Sequence, residues 1–296
     1  MSLSMRAAVP AALTACLLLA APGAHAQECA ALADVKGGQL PDGRLVLPVT
    51  VEGRALYFLL DTGGIATTIK WELARGMNLP ATQAARPLNG VGGAVLNFVV
   101  TGEEFSIGGL KVENKPIYLE TRPLRTDGTL SADILNAYDV EIDLARYRVK
   151  LMASGDCAAP DGADAVAIDI APDGAHKGHV RFPVKIDGLT VMATLDTGAT
   201  SSVIGMRAAA ALGVYPDSPK LDLRRTRGND RLYSYPFQTL QIGEVTVERP
   251  RITIASDNFL PGSNSDLILG IDALAGMKLT IAYGHNRLYL ESQQRP

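Results

Sequence analysis

Two stretches place a carboxylate where it could do chemistry: Leu60-Asp61-Thr62-Gly63 and Leu195-Asp196-Thr197-Gly198. In each, an apolar run ends at the acid, so a strand would carry Asp out of the core and into a turn. Thr can hydrogen-bond locally through its hydroxyl, and Gly admits backbone geometry closed to other residues. A single Asp-Thr-Gly is an ordinary turn. Two at matching places could bring their carboxyl groups into contact. Such a pair does not readily ionise twice, so over a wide pH range two acids hold one proton. The ionised member can act as general base on a water. The protonated member can polarise a carbonyl and later assist the departing amine. That is amide hydrolysis with neither a metal nor a covalent intermediate. Other routes lack their residues, since neither Gly-x-Ser-x-Gly nor His-Glu-x-x-His occurs. His176 and His179 read as solvent-exposed residues of a connecting segment rather than metal ligands, so no metal or cofactor is expected.

The elements that would position the two acids are written twice. Leu47-Pro48-Val49-Thr50-Val51-Glu52-Gly53 followed by Leu56 to Gly63 matches Phe182-Pro183-Val184-Lys185-Ile186-Asp187-Gly188 followed by Val191 to Gly198. Pro48 and Pro183, Gly53 and Gly188, Asp61 and Asp196, and Ile107-Gly108 and Ile242-Gly243 all keep one spacing. Near the end of each half, Ile134-Leu135-Asn136 matches Ile268-Leu269-Gly270 with a slip of one residue. Two copies imply two structural units related by a pseudo-twofold axis, since a solenoid would need more repeats. Each copy reads as β: short Val-, Ile-, Leu- and Tyr-rich blocks alternate with Gly, Pro and Asp. Glu52-Gly53 and Asp187-Gly188 are tight hairpin turns. Short helices are predicted at Trp71–Met77, Met206–Leu212 and Asp272–Gly276. Ser154–Gly178 reads as a linker carrying one strand at Ala165–Ile170.

The first residues describe a leader. Arg6, an apolar run from Ala7 to Ala21 and Ala24-His25-Ala26 form a secretory signal with cleavage after Ala26. A lipobox at Cys16 is the weaker alternative, because Cys16 sits inside the apolar run. Predicted organisation is therefore residues 1–26 as signal peptide, 27–153 as first lobe, 154–178 as linker and 179–296 as second lobe. Location follows as periplasmic or secreted. Removing the leader takes away Arg6 and no acid, which moves the formal net charge from -3 to -4. A mildly acidic chain has no general attraction for nucleic acid or anionic lipid. No later stretch is long and apolar enough to span a bilayer. Cys29 and Cys157, left after cleavage, are expected to pair in an exported protein.

With both loops and the duplication in view, the chain resembles the retropepsin-like and pepsin-like aspartic proteases. It is most similar to bacterial periplasmic retropepsin-like proteins with both lobes in one chain. The resemblance runs from about Leu45 to about Leu290. It implies an all-β fold of two pseudo-twofold-related β-barrel lobes, with Asp61 and Asp196 as catalytic dyad. By the same resemblance Thr62, Gly63, Thr197 and Gly198 form the supporting loops. A hydrophobic-hydrophobic-Gly element packs behind each loop, here Ile134-Leu135-Asn136 and Ile268-Leu269-Gly270. A flap with Val91, Gly92 and Gly93 at its tip covers a peptide or protein substrate, with Arg227-Gly228-Asn229-Asp230 at the equivalent place in the second lobe. One chain then suffices for one active site, so a monomer could work alone. The implied activity is that of an aspartic endopeptidase. A non-catalytic peptide-binding module on the same fold is the alternative.

The first copy departs from the family pattern at Ile65, where Ser or Thr is usual, and at Asn136, where Gly is usual. Neither Gly64 nor Ala199 offers a hydroxyl to its aspartate, which predicts a working pH nearer neutral than strongly acidic. Arg224, Arg225, Arg227 and Arg231 read as a solvated strand edge, and Trp71 as core packing.

Overall fold

The computed structural model describes residues 30–292 apart from 90–94, 102–103, 114, 156–164, 173–177, 228–229 and 261–264. Outside the described residues fall the leader, Cys16, Cys29, Cys157, His176 and the flap-tip residues Val91, Gly92 and Gly93.

Each half is built on its repeated hairpin. Strands Leu45–Val51 and Arg54–Asp61 pair antiparallel, as do Arg181–Ile186 and Leu189–Leu195. The turn residues have positive φ at both positions: 46° and 71° at Glu52-Gly53, 47° and 86° at Asp187-Gly188. This is the two-residue geometry whose twist matches that of the flanking strands, and Gly at the second position takes it without strain.

The two lobes then repeat one sheet order. The first runs, edge to edge, Ala81–Asn89, Val95–Thr101, Pro116–Glu120, Thr68–Lys70, Gly128–Ser131, Arg54–Asp61, Leu45–Val51, Phe105–Ile107, Leu110–Lys111, with Gly38–Gln39 beside Leu45–Val51. The second runs Asp222–Arg227, Asp230–Pro236, Arg251–Ala255, Val203–Gly205, Leu267–Leu269, Leu189–Leu195, Arg181–Ile186, Thr239–Ile242, Val245–Glu248. Position by position the orders agree, so the duplication seen in the sequence is a duplication of topology.

A third sheet holds the lobes together. Its order is Ala31–Lys36, Arg148–Ala153, Tyr138–Asp143, Met277–Ala282, Arg287–Ser292, Val166–Asp169. The pairing of Tyr138–Asp143 with Met277–Ala282, from Val140↔Ile281 to Asp143↔Lys278, crosses from one half to the other. Its outer strands are pinned alike, by Asp34 to Arg148 and by Asp169 to Arg287. Fully buried Phe58, Leu130 and Ile142 belong to the same apolar cluster as Phe182, Leu240 and Leu279, so packing is continuous across the lobes. A shared ladder and a shared core make the lobe orientation a property of the fold, as a site built half from each lobe requires.

Several details differ from the sequence reading. The strand within the connecting segment is Val166–Asp169, and it lies on the outer edge of the shared sheet rather than free between lobes. Helices form at Trp71–Gly76 and Met206–Ala211, but residues 271–276 are turns. There the Asp272 carboxylate accepts the Ala273 amide at 2.9 Å and competes with helical bonding. A short helix not foreseen, Ala132–Leu135, stands at the corresponding place in the first lobe. His179 is buried, not exposed, because it leads directly into the second lobe's hairpin. Trp71 is half-buried and meets Phe98 edge-on at 5.7 Å. Strand Asp222–Arg227 is an outer strand, with Arg224 exposed on it, and exposed charge there discourages edge pairing. Among the described residues no helix is long and apolar enough to cross a membrane.

Candidate active site

Both Asp-Thr-Gly loops follow a strand that is braced by a parallel neighbour. Arg54–Asp61 runs parallel to Gly128–Ser131, with Leu60 beside Leu130 and Asp61 beside Ser131. Leu189–Leu195 runs parallel to Leu267–Leu269, with Leu195 beside Leu269, and the Asp196 amide donates to the Leu269 carbonyl at 3.0 Å. The element behind the first loop is therefore Thr129-Leu130-Ser131, not Ile134-Leu135-Asn136. The sequence match slipped because Ile134-Leu135, in the short helix, is also a buried apolar pair. A second pair of contacts fixes the same register. Asp133 accepts the Thr67 amide at 2.9 Å and the Thr67 hydroxyl at 2.8 Å. Asp272 accepts the Ser202 amide at 2.9 Å and the Ser202 hydroxyl at 2.7 Å. Asn136, read as a departure from a family glycine, lies just beyond this element.

The threonines join the loops to each other. The Thr62 amide donates to the Thr197 hydroxyl oxygen at 3.1 Å, and the Thr197 amide to the Thr62 hydroxyl oxygen at 3.1 Å. Each hydroxyl in turn donates across the interface, Thr62 to the Leu195 carbonyl at 3.0 Å and Thr197 to the Leu60 carbonyl at 2.9 Å. Both side chains are fully buried. Each Thr hydroxyl is thus acceptor and donor at once, which Ala or Val cannot reproduce.

That brace sets the carboxyl groups face to face. A β-carbon placed on Gly63 would lie 2.4 Å from the Asp196 Cγ, and one on Gly198 would lie 2.6 Å from the Asp61 Cγ. Gly is needed at both positions because the opposite carboxyl fills the space. Asp61 and Asp196 hydrogen-bond each other. The Asp196 Oδ1 also accepts the amides of Gly198 at 2.9 Å and Ala199 at 3.0 Å. The Gly64 amide donates to the Asp61 backbone carbonyl at 3.3 Å, and the Gly63 and Gly64 amides lie near the Asp61 carboxyl. Protein atoms surround both acids, yet both keep some surface open to solvent, so a water can reach them.

The environments of the two acids are unequal. Burial pushes the Asp196 carboxyl well above the usual range, and the neighbouring Asp61 charge adds to that rise. Burial also raises Asp61, but the contact with Asp196 and the Arg44 charge oppose the rise, while loop amides oppose it at both acids. Both carboxyls are thus raised, Asp196 the more, and the two titrate as a pair.

Sequence reasoning missed Arg44. Its guanidinium pairs with Asp42 at 2.8 Å and donates through Nη1 to the Gly198 carbonyl at 3.1 Å, linking the first lobe to the second lobe's loop. The repeat spacing that relates Asp61 to Asp196 relates Arg44 to His179, so the position was visible but the residue type was not shared. Arg122 also feels the Asp61 charge, and Glu120 holds it at 2.6 Å. Among the described residues no group of His, Cys, Asp and Glu is arranged to hold a metal ion.

Known proteins resemble this chain at the level of family and fold. The family described as aspartyl protease matches the chain twice, at residues 47–134 and 182–273, together more than half of its length. A search of curated proteins finds no match. Among solved structures, the chain is similar to an aspartic proteinase from Irpex lacteus with a TM-score of 0.53. The two are 13% identical, and the match covers 88% of this chain and 97% of that one. At that identity the likeness concerns the fold.

Proposed function

Because the chain belongs to the aspartyl protease family, we propose that it is an aspartic endopeptidase whose dyad is Asp61 and Asp196. One observation carries this reading: two carboxyl groups from different lobes each pack against the other lobe's loop glycine, where solvent can reach them. In this reading Asp61, ionised, takes a proton from a water placed between the acids as that water attacks the peptide carbonyl. Asp196, protonated, donates to the carbonyl oxygen as its charge grows. Proton return to the nitrogen then lets the amine leave. The substrate is an extended peptide or unfolded segment of protein, which fits a cleft between two β-lobes. One chain supplies both acids, so a monomer is sufficient for one active site. The leader through Ala26 is removed on export, and the enzyme acts in the periplasm or outside the cell.

The test is cleavage of a diverse peptide library by the chain from Gln27 onward, across pH ~4 to ~8, where a carboxyl dyad titrates. Asp61→Asn and Asp196→Asn are run beside it. Each substitution should lower kcat/KM by on the order of 10³-fold or more, since both acids act in one step. Cleavage that survives both would place the chemistry elsewhere. A chain that binds extended peptides and cuts none would be a binding module.

A further inference from the structure

Gly64 and Ala199 carry no hydroxyl, yet the surroundings of the two acids are not equally bare. Ser131 is the strand partner of Asp61, and its side chain is completely buried. A β-carbon on Gly64 would lie 2.5 Å from the Ser131 Oγ and 2.9 Å from the Asp61 Oδ2. The serine hydroxyl and the carboxylate oxygen therefore flank one small space, which Gly64 leaves open. The partner recorded for that hydroxyl is the Thr129 Oγ1 at 3.5 Å, at the weak limit of a hydrogen bond. The Thr129 oxygen is itself engaged with the Thr68 hydroxyl at 2.9 Å.

The second lobe is built differently. Gly270 takes the place of Ser131, and a β-carbon there would lie 2.7 Å from the Ser201 carbonyl carbon and 3.0 Å from the Ala199 oxygen, both backbone. Backbone fills that space, so the strand behind Asp196 has no room for a serine, and Ala199 on the loop offers only a methyl.

We infer that Ser131 is a positioning residue for Asp61, its hydroxyl turning to the carboxylate when Asp61 is ionised. This inference rests on the proposed dyad. A hydroxyl donor favours the charged form of a carboxylate and lowers the pH at which it forms. Asp196 has no counterpart, so the hydroxyl sharpens the division between an acid that ionises early and one that keeps its proton. The other groups facing Asp61 are the amides of Gly63 and Gly64, the guanidinium groups of Arg44 and Arg122, and Asp196. Both arginines stay charged throughout the acid range, so among these neighbours only Asp196 titrates with Asp61. The expectation of a near-neutral working pH, drawn from the missing hydroxyls at residues 64 and 199, then holds for Asp196 alone.

The experiment is a carbon-NMR titration of the aspartate carboxyls, assigned with Asp61→Asn and Asp196→Asn, run beside the pH profile of kcat/KM. Three proteins are compared: the unaltered chain, Ser131→Ala, and the double variant Ser131→Gly with Gly64→Ser. The double variant returns a hydroxyl to Asp61 from the loop side. Ser131→Ala should raise the lower step of the dyad, and with it the acid limb of kcat/KM, by about 0.5–1 pH unit. The double variant should bring both back toward the unaltered chain. A lower step unmoved by Ser131→Ala overturns the inference. So does a Ser131→Ala chain that merely loses folding stability, with its titration unchanged. If the step moves while no peptide is cut, the role of Ser131 stands and the peptidase reading falls.

Discussion

The two lobes agree where the loops must be held and differ where the acids must be told apart. Thr62 and Thr197 make the same four bonds in both directions, and Asp133 and Asp272 hold Thr67 and Ser202 alike. Around the carboxyl groups the match ends. Arg44 stands where the second lobe has buried His179, and Ser131 where it has Gly270. The segment after strand Pro116–Glu120 carries Arg122 and Arg125, and the segment after strand Arg251–Ala255 carries Asp257. A symmetric frame gives two carboxyls the contact they need to share a proton. It gives no reason for the proton to prefer either one. The neighbours that differ, Arg44, Arg122 and Ser131, all lie in the first lobe and outside the doubled motif.

The symmetric part of the comparison makes the largest prediction. Thr62→Val and Thr197→Val should each lower folding stability by about 2–4 kcal/mol. Each removes one buried hydroxyl that accepts and donates across the interface, and leaves an amide and a carbonyl unpaired. Losses read from urea unfolding should be alike for the two variants. The double variant should lose less than their sum, because the four bonds form one network. A large inequality between the single variants would break the symmetry argued for the frame.

The asymmetric part predicts a stability change with a sign set by pH. The Asp196 carboxyl titrates higher in the folded chain than when unfolded. The folded state then holds the extra proton, so this contribution is fully present below about pH 4 and is lost as pH rises through the raised value. Asp196→Asn removes the titration. It should stabilise the chain relative to the unaltered protein at pH ~7, by on the order of 1–3 kcal/mol, and do little at pH ~4. Asp61→Asn should give a smaller gain at pH ~7, since Asp61 is raised less and the Arg44 charge favours its ionised form. Thermal unfolding at the two pH values measures both. Equal gains would mean that the acids are not distinguished.

Arg44→Gln should have the smallest effect. Its charge favours ionised Asp61, and Asp42 screens it. Removing it should move the acid limb of kcat/KM upward by about 0.3–0.5 pH unit. An acid limb that does not move would show that Arg44 acts through the Gly198 carbonyl alone.

Much of this protein follows from its residues in order. The doubled Leu-Asp-Thr-Gly, the hairpin turns at Glu52-Gly53 and Asp187-Gly188, and the constant spacing of Pro, Gly and Asp determine two β-lobes and name the two acids. They do so because hairpin twist and strand alternation are local properties. Tertiary structure decided which residues meet the acids. Ser131 reaches Asp61 through a parallel strand pair, and Arg44 reaches Gly198 across the lobe interface. Tertiary structure also moved the bracing element from Ile134-Leu135-Asn136 to Thr129-Leu130-Ser131, since the more apolar pair Ile134-Leu135, five residues on, is the better sequence match until Leu130 is paired with Leu60. Contacts between distant strands leave no periodic mark in either partner, so the surroundings of Asp61 and Asp196 are a property of the assembled fold.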